Sequence, residues 1–211
     1  MARHFLLVKK EIISVKIKLM VYSEKVNKAI KVATKLHDGQ FRRGSTIPYI
    51  AHPFAVALMT QKYIDSEDVF IGGVLHDVLE DVPDRIYTSK DLANDFGYDM
   101  LNIVETVSEP DIHTPTQEAW RARKYSYLNN IQNSNDIRPL IISACDKIHN
   151  MGELAYGYDE LGESIWTYFA AKREREIWFY DSVYDILKSK ILPPEMLEEY
   201  QHRLEKLKSL Q

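Results

Sequence analysis

The sequence predicts an all-α fold with about eight to ten helices in a single domain. Apolar residues recur with helical spacing from Tyr22 onward, and no run of alternating β-branched residues is long enough for a central sheet. The chain has 211 residues, of which 45% are hydrophobic and 27% are charged, so it can bury a sizeable core. This composition excludes a wholly disordered chain.

The first helix and the loop after it have clear boundaries in the sequence. Val26, Ile30 and Ala33 share one helical face, and Ser23 precedes them as a capping residue. Residues 39–48 contain two glycines, a proline and two arginines. This composition predicts a loop.

The next two helices carry the histidine-rich and acidic motifs. The second helix is predicted to begin near Pro53, because proline is tolerated in the first turn. The third follows a cap signal at Ser66, continues through Glu80 and ends at Pro83. We therefore expect residues 76–81 to lie on a helix.

The remaining helices are predicted from the spacing of their apolar residues, with a loop at 108–115. They cover residues 89–96, 99–107, 117–131, 138–154, 164–187 and 194–210. We divide the chain into an N-terminal extension (1–21), a central domain (22–190) and a C-terminal helix (191–211) that packs on the same domain.

The first 21 residues are considered separately because charged side chains interrupt every apolar run. No run approaches the ~20 apolar residues of a membrane span, and no clean secretory signal is present. Alternation at Ile13, Val15 and Ile17 is compatible with a strand-like arm. The alternative is a poorly ordered extension, with Met20 as the true start. We expect a cytoplasmic protein that does not enter a membrane.

Charge balance and cysteine content exclude several classes of protein. Lys and Arg number 27 against 31 Asp and Glu, a net charge of −4, so a protein that coats DNA or RNA is not expected. Cys145 is the single cysteine of the chain. It cannot form an intrachain disulfide or a zinc site made of several thiolates.

A histidine and three carboxylates are concentrated between His76 and Asp81. On a helix, His76 would lie beside Glu80, and Asp77 beside Asp81, because residues four apart share a face. The carboxylates repel one another, and a divalent ion such as Mn²⁺, Fe²⁺, Zn²⁺ or Mg²⁺ would relieve that repulsion. The alternative is a solvated acidic helix end in which His76 binds a backbone carbonyl.

Asp146 lies in an otherwise apolar helical stretch, where a lone carboxylate needs a partner. Asn150 is one turn later and shares its face, whereas the adjacent Lys147 points in another direction. A metal ion held by Asp146 together with His76 and Asp77 would satisfy this requirement.

Four stretches of the chain resemble one family of enzymes. They are HDGQFRRGSTIPYIAHPFAVA (37–57), GGVLHDVLEDV (72–82), ISACDKIHNM (142–151) and TYFAAKREREIWFYDSVYDIL (167–187). The order His52, His76-Asp77, Asp146 is similar to the metal-ligand pattern of the HD phosphohydrolase superfamily. The flanking sequence resembles the hydrolase domain of RelA/SpoT-type alarmone enzymes. The chain therefore resembles a stand-alone small alarmone hydrolase, which implies an HD-type helical bundle.

This resemblance implies a Mn²⁺-dependent enzyme of the stringent response. It would convert guanosine 3′,5′-bis(diphosphate), or ppGpp, and water into GDP and pyrophosphate. Glu80 and Asp81 match the acid pair that orients and activates the attacking water. The residues that match the Mn²⁺ ligands are His52, His76, Asp77 and Asp146.

The resemblance also implies contacts with the nucleotide. Arg43 matches the loop arginine that stacks on the guanine base, and Arg42 is a near-equal candidate. Lys147 and Asn150 match residues that face the nucleotide. Because this substrate is a dense polyanion, its pocket needs cations despite the acidic total. The candidate cations are Arg42, Arg43, Arg121, Arg123, Lys124, Lys147, Lys172 and Arg173.

Other features are interpreted as structural, and two other functions stay open. Tyr49 is interpreted as a packing residue, and His149 as a structural residue or a support for a ligand. The function alternatives are a related enzyme that acts on NADPH or another nucleotide, and a non-catalytic nucleotide-binding module. The expected partner is a small-molecule nucleotide, with no nucleic acid and no membrane, and a homo-oligomer is left open.

Overall fold

The computed structural model describes residues 22–110, 112, 114, 116–168 and 172–210. Within these residues the chain forms nine α-helices, a 3-10 helix (Gly162–Tyr168) and one isolated β-bridge. The predicted all-α fold is confirmed; residues 1–21, with the strand-like arm suggested for them, lie outside the described residues. The helices are α1 (Glu24–Leu36), α2 (Ala51–Tyr63), α3 (Glu67–Leu75), α4 (Ser89–Phe96), α5 (Tyr98–Thr106), α6 (Gln117–Asn133), α7 (Ile137–Leu161), α8 (Arg173–Lys188) and α9 (Pro194–Ser209).

Helices α3 and α7 form the centre of the fold. Every residue from Val69 to Leu75 in α3 is buried, as expected for a helix that is apolar all round. Helices α1, α2, α5 and α7 pack around α3, and α9 packs on α7 and α8. In α7, every residue from Pro139 to Ile148 is buried. None of the helices in the described part of the chain is long and apolar enough to cross a membrane.

A glycine allows α3 to approach α2 closely. A Cβ atom added to Gly73 would lie 2.8 Å from the Cα atom of Ala57, which is backbone and cannot rotate away. This close packing brings the start of α2 next to the end of α3, and both lie beside the middle of α7. These three places carry His52, His76 and Asp146.

Helix α3 is shorter than the sequence predicts, because it ends at Leu75 and is followed by consecutive turns. The side chain of His76 donates a hydrogen bond from Nδ1 to the carbonyl oxygen of Gly73 at 2.8 Å. In a continuing helix, that carbonyl would accept from the amide of Asp77. One α-type contact is retained, since the amide of Asp81 bonds to the carbonyl of Asp77 at 2.9 Å.

The single helix predicted over 164–187 is wrong. This stretch contains the end of the 3-10 helix and most of α8, which begins at Arg173. A Cβ atom added to Gly157 of α7 would lie 2.9 Å from Cδ1 of Ile165, so the 3-10 helix packs tightly against α7. Helix α7 also continues beyond its predicted end, to Leu161. Periodicity does not reveal this packing, because the partner residues lie on another element.

Candidate active site

Four side chains from three parts of the fold meet at one point. His52 lies in the first turn of α2, His76 and Asp77 directly follow α3, and Asp146 lies in the middle of α7. Nε2 of His52 lies 3.1 Å from Oδ1 of Asp146, and Nε2 of His76 lies 3.2 Å from Oδ2 of Asp77. All four residues are buried. The tertiary structure thus brings together the four residues that the sequence suggests as metal ligands.

The backbone orients the imidazole of His76. Because Nδ1 donates to the carbonyl of Gly73, Nε2 carries the lone pair in the neutral ring. Nε2 is buried and has no hydrogen-bond partner among the described residues. It lies 3.2 Å from a carboxylate oxygen of Asp77 and 3.8 Å from one of Asp146. A buried ring nitrogen without a partner, next to two carboxylates, is the arrangement expected of a metal ligand.

His52 is supported on its far side by His149. The Nδ1 atoms of the two rings lie 3.0 Å apart, while Nε2 of His52 faces Asp146. Burial, followed by the charge of His52, lowers the pKa of His149 to about 4. The neutral ring of His149 can therefore accept a hydrogen bond from His52. A second residue that fixes the orientation of a ligand imidazole is usual at metal sites.

The two aspartates are held by polar groups around them. The hydroxyl of Tyr49 donates to Oδ2 of Asp77 at 2.7 Å, and Nδ2 of Asn150 donates to Oδ1 of Asp146 at 2.5 Å. Lys147 pairs with the other oxygen of Asp146. The expectation that Lys147 points away from Asp146 is therefore wrong, because its long side chain bends back to the carboxylate of the preceding residue. Burial would raise the pKa of Asp146, but Lys147 and the two imidazoles hold it well below its ordinary value. This carboxylate is therefore ionised at neutral pH.

The geometry of three of these residues fits a divalent cation, and Asp77 lies next to them. Single ligand atoms from His52, His76 and Asp146 lie within 4.8 Å of one another, and Oδ2 of Asp77 lies 3.6 Å from Nε2 of His52. Burial by itself would lower the pKa of His76, but Asp77 and Asp146 raise it to about 9. Positive charge is thus favoured at this point. Two imidazoles with two carboxylates suit a divalent ion of the Mn²⁺, Fe²⁺ or Zn²⁺ type.

Glu80 and Asp81 lie beside these ligands, and both side chains line a cavity. The amide of Glu109 donates to Oε2 of Glu80 at 3.2 Å, and Nε2 of Gln40 donates to the carbonyl of Asp81 at 2.9 Å. Glu80 is exposed at the cavity surface, and partial loss of solvation there, followed by the charges of Glu109, Asp77 and Asp81, raises its pKa to about 8. Burial and the charge of Asp77 also raise the pKa of Asp81. Glu80 is therefore suited to exchange a proton near neutral pH.

The cavity has a volume of about 650 Å³, within the range of small-molecule pockets. Arg121, Lys172 and Arg173 are not among the described residues that line it, and Arg173 bonds instead to the carbonyl of Lys208. The five other candidate cations do line it. They are Arg42, Arg43, Arg123, Lys124 and Lys147.

The two loop arginines have different surroundings. Nη2 of Arg42 donates to Oδ1 of Asn150 at 2.8 Å, and its guanidinium carbon lies 5.5 Å from the centre of the Tyr49 ring. Arg42 is thus tied to the residue of α7 that holds Asp146. Arg43 lines the cavity. Burial raises the pKa of Glu176, which also lines the cavity, and the charges of Lys124 and Arg43 oppose that rise.

Three residues of the cavity are missed or misread from the sequence. Interpreting Tyr49 as a packing residue misses its hydrogen bond to Asp77, although its place in the motif that leads to His52 is a usable signal. Glu109 and Glu176 also line the cavity. No local pattern marks either of them, since their charged neighbours are distant in the sequence or on other elements.

Comparison with known proteins gives a family match and several relatives. The protein-family model described as HD domain matches residues 29–175. A guanosine-3′,5′-bis(diphosphate) 3′-pyrophosphohydrolase of Borreliella burgdorferi is 35% identical over 130 residues, 61% of this chain and 19% of that protein. The protein of the same name from Haemophilus influenzae is 37% identical over 129 residues, 58% of this chain and 18% of that protein. The chain thus spans about a fifth of the length of these curated relatives.

A solved structure has a similar fold. It belongs to a metazoan ortholog of SpoT that hydrolyses ppGpp and plays a role in starvation responses. The TM-score is 0.70 with 22% sequence identity, and the alignment covers 90% of this chain and 99% of that one. An HD domain implies a divalent metal ion, which agrees with the donor set described above. Since the family match extends over well more than half of its residues, this chain belongs to the HD domain family.

Proposed function

We propose that this protein is a Mn²⁺-dependent guanosine-3′,5′-bis(diphosphate) 3′-pyrophosphohydrolase, which converts ppGpp and water into GDP and pyrophosphate. One observation carries the proposal. A buried group of metal-ligating residues and Glu80, whose pKa is raised to about 8, meet in a cavity that five cationic side chains line. The curated relatives that carry this activity in their names match about three fifths of this chain.

The metal ligands in this proposal are His52, His76, Asp77 and Asp146. A divalent cation bound there supplies Lewis-acid polarisation of a phosphoryl oxygen. The protein's own contribution is to keep the two aspartates ionised and the two Nε2 atoms aimed at one point. We choose Mn²⁺ from the resemblance to alarmone hydrolases, and the mixed imidazole and carboxylate donors support an ion of this type.

Glu80 and Asp81 are the acids that act on water. The attacking water forms a bond to the phosphorus attached to the 3′-oxygen, and the bond between that phosphorus and the 3′-oxygen breaks. Ionised Glu80 takes a proton from the water, with Asp81 orienting it, and later releases that proton to solvent, while the 3′-oxygen takes up a proton from solvent as GDP leaves. A base whose pKa lies near the operating pH is the most effective one for this transfer.

The remaining proposed site residues bind the nucleotide. Lys147 faces the cavity next to Asp146 and offers positive charge to a phosphate. Arg43 is the stacking candidate, because it matches the loop arginine that stacks on guanine in the family that the sequence resembles, and it lines the cavity. Arg42 contacts Asn150 and Tyr49 in the wall of the site. A guanidinium plane suits a purine face. Asn150 links Arg42 to Asp146, so it connects nucleotide binding to the metal site.

The proposal also includes the organisation of the chain. Residues 22–190 would form the hydrolase domain, with 1–21 as an extension and 191–211 as a helix on the same domain, in a cytoplasmic protein. The packing of α9 on α7 and α8 supports this arrangement. Whether the chain forms a homo-oligomer is a separate question for size measurements in solution.

The decisive experiment measures turnover of ppGpp, NADPH and dGTP in parallel, with Mn²⁺ and with a chelator. We expect Mn²⁺-dependent formation of GDP and pyrophosphate in equal amounts. Release of orthophosphate from NADPH alone would identify NADPH, and not ppGpp, as the substrate, and would leave the proposed metal site unchanged. No turnover of any of the three would contradict the enzymatic proposal and favour a nucleotide-binding module.

A further inference from the structure

Glu109 lines the cavity and lies just after the end of α5. Its side chain is 7% exposed. Oε2 accepts a hydrogen bond from Nε of Arg123 at 3.1 Å, and Oε1 accepts one from Nζ of Lys124 at 2.5 Å. One buried carboxylate thus engages two of the five cations that line the cavity.

The backbone of the same residue contacts the proposed base. The amide of Glu109 donates to Oε2 of Glu80 at 3.2 Å. Arg123 also donates from Nη1 to the carbonyl of Ile112 at 2.8 Å, so the same side chain contacts both Glu109 and Ile112. The side chain and the backbone of Glu109 therefore connect a pair of cations to the acid that acts on water.

Glu109 is ionised in this position. Burial would raise its pKa, but the charges of Lys124, Lys147 and Arg123 lower the pKa below its ordinary value. A carboxylate that accepts from a guanidinium and an ammonium uses the same donors that a phosphate group would use. A phosphate that binds these same donors competes with Glu109 for them.

We propose that Glu109 is a positioning and specificity residue: its carboxylate holds Arg123 and Lys124 in the free protein, and a diphosphate group displaces it from them, while its amide keeps Glu80 in place. This inference rests on the proposed function for the identity of the diphosphate. A ligand with two linked phosphates carries enough charge to replace the carboxylate at both cations. Glu109 thereby makes occupation of this part of the cavity depend on a diphosphate.

The test compares binding of inorganic pyrophosphate to Mn²⁺-loaded wild-type protein and to Glu109→Gln, by calorimetry at a fixed concentration of free Mn²⁺. Removing the competing charge should tighten pyrophosphate binding on the order of tenfold. The KM for ppGpp should fall by a similar factor, with kcat unchanged or reduced. A merely structural role would instead raise KM and lower the melting temperature together.

Two further variants complete the test. Glu118→Gln makes the same change of charge at an exposed position in the first turn of α6, and should leave pyrophosphate affinity unchanged. Glu109→Asp retains the charge but is too short to engage both cations, so its affinity should lie between those of wild type and Glu109→Gln. This variant also replaces Glu109→Gln if the latter does not fold.

Unchanged or weaker pyrophosphate binding in a folded Glu109 variant would overturn the inference. An equal gain of affinity in Glu118→Gln would overturn it too, since the effect would then come from net charge. Failure of the proposed function is distinguishable. Wild-type protein that does not hydrolyse ppGpp, but binds pyrophosphate more tightly after Glu109→Gln, would keep the role of Glu109 and reject only the substrate.

Discussion

Tyr49 donates its hydroxyl hydrogen to Oδ2 of Asp77 at 2.7 Å, so a loop residue that precedes α2 fixes a residue that follows α3. The Tyr49 ring also lies 5.1 Å from the ring of His37 and 6.0 Å from that of His52, measured between centres. Its amide bonds to the carbonyl of Gln40 at 2.8 Å, which closes the loop. The arginine-bearing loop and the metal ligands are therefore one connected structure.

Tyr49→Phe should weaken metal binding without unfolding the protein. The variant keeps the ring and removes only the donor to Asp77, and loss of such a supporting contact typically costs about 10- to 100-fold in metal affinity or activity. Titration with Mn²⁺ gives the affinity. Tyr87→Phe is the matched control, because it removes a tyrosine hydroxyl that donates to a carboxylate, Asp95 of α4, and neither residue lines the cavity. Equal metal affinity in Tyr49→Phe and wild type would refute the role of this hydrogen bond.

Glu80→Gln should lower kcat by about 10²-fold or more, as expected for loss of a general base. Metal content should stay normal, since Glu80 is not among the proposed ligands. Glu105→Gln, an exposed change on α5, serves as the control. Unchanged turnover in a metal-loaded Glu80→Gln protein would refute the role of Glu80 as the general base.

Glu80 should also make the stability of the chelated protein depend on pH. Its folded pKa of about 8 lies above the ordinary value of 4.5, so between these pH values the folded state binds a proton that the unfolded state lacks. The free energy of unfolding contributed by Glu80 is therefore present below pH 4.5 and is lost as pH rises to about 8. Melting curves from pH 5 to 8 should show a smaller decline in Glu80→Gln than in wild type. Parallel declines would contradict this.

Gly73→Ala should destabilise the fold by about 1–3 kcal/mol, because the added methyl group meets the backbone of Ala57 and forces α2 and α3 apart. The same displacement should weaken metal binding, since His52 lies in α2 and His76 directly follows α3. Gly152→Ala in α7 is the control. Its added atom would lie 3.5 Å from the Arg203 side chain, an ordinary contact, so that variant should be neutral or more stable. Denaturant unfolding of both variants checks the difference.

Chelation should lower the melting temperature, because a ligand that binds only the folded state stabilises it. At a free metal concentration 100 times its Kd, the stabilisation is about 2.7 kcal/mol. His76→Ala should abolish the metal-induced shift, whereas His202→Ala, at an exposed position of α9, should retain it. Measuring the shift in melting temperature with Mn²⁺, Mg²⁺ and Zn²⁺ ranks these ions by how strongly each stabilises the folded protein. A full shift in His76→Ala would remove His76 from the ligand set.

Helix caps and several helix boundaries could be predicted from the sequence, because they depend on nearby residues. The capping residues Ser23 and Ser66 each accept a backbone hydrogen bond at the helix start where they were expected. The boundaries predicted for α4 agree with the structure at both ends. These features depend on contacts within one turn, and such contacts are determined by residues that are neighbours in the sequence.

The grouping of His76, Asp77 and Asp146 was also expected from the sequence, because carboxylates in apolar surroundings need partners, whereas His52 was included on the resemblance to the HD family. What the sequence pattern did not predict is the end of α3. There the side chain of His76 takes a backbone carbonyl and turns the chain out of its helix. The contact spans a single turn, but helical periodicity does not distinguish it from a continued helix, because either arrangement gives the Gly73 carbonyl a donor.

The charge network of the cavity was decided only by tertiary structure. Glu109 meets Arg123 and Lys124 across the loop between α5 and α6, and its amide reaches Glu80, 29 residues earlier in the chain. Sequence periodicity assigns residues to faces of their own helix, but it carries no information on which charges of separate elements meet. Such pairs form because burial requires each charge to find a partner once the helices have packed.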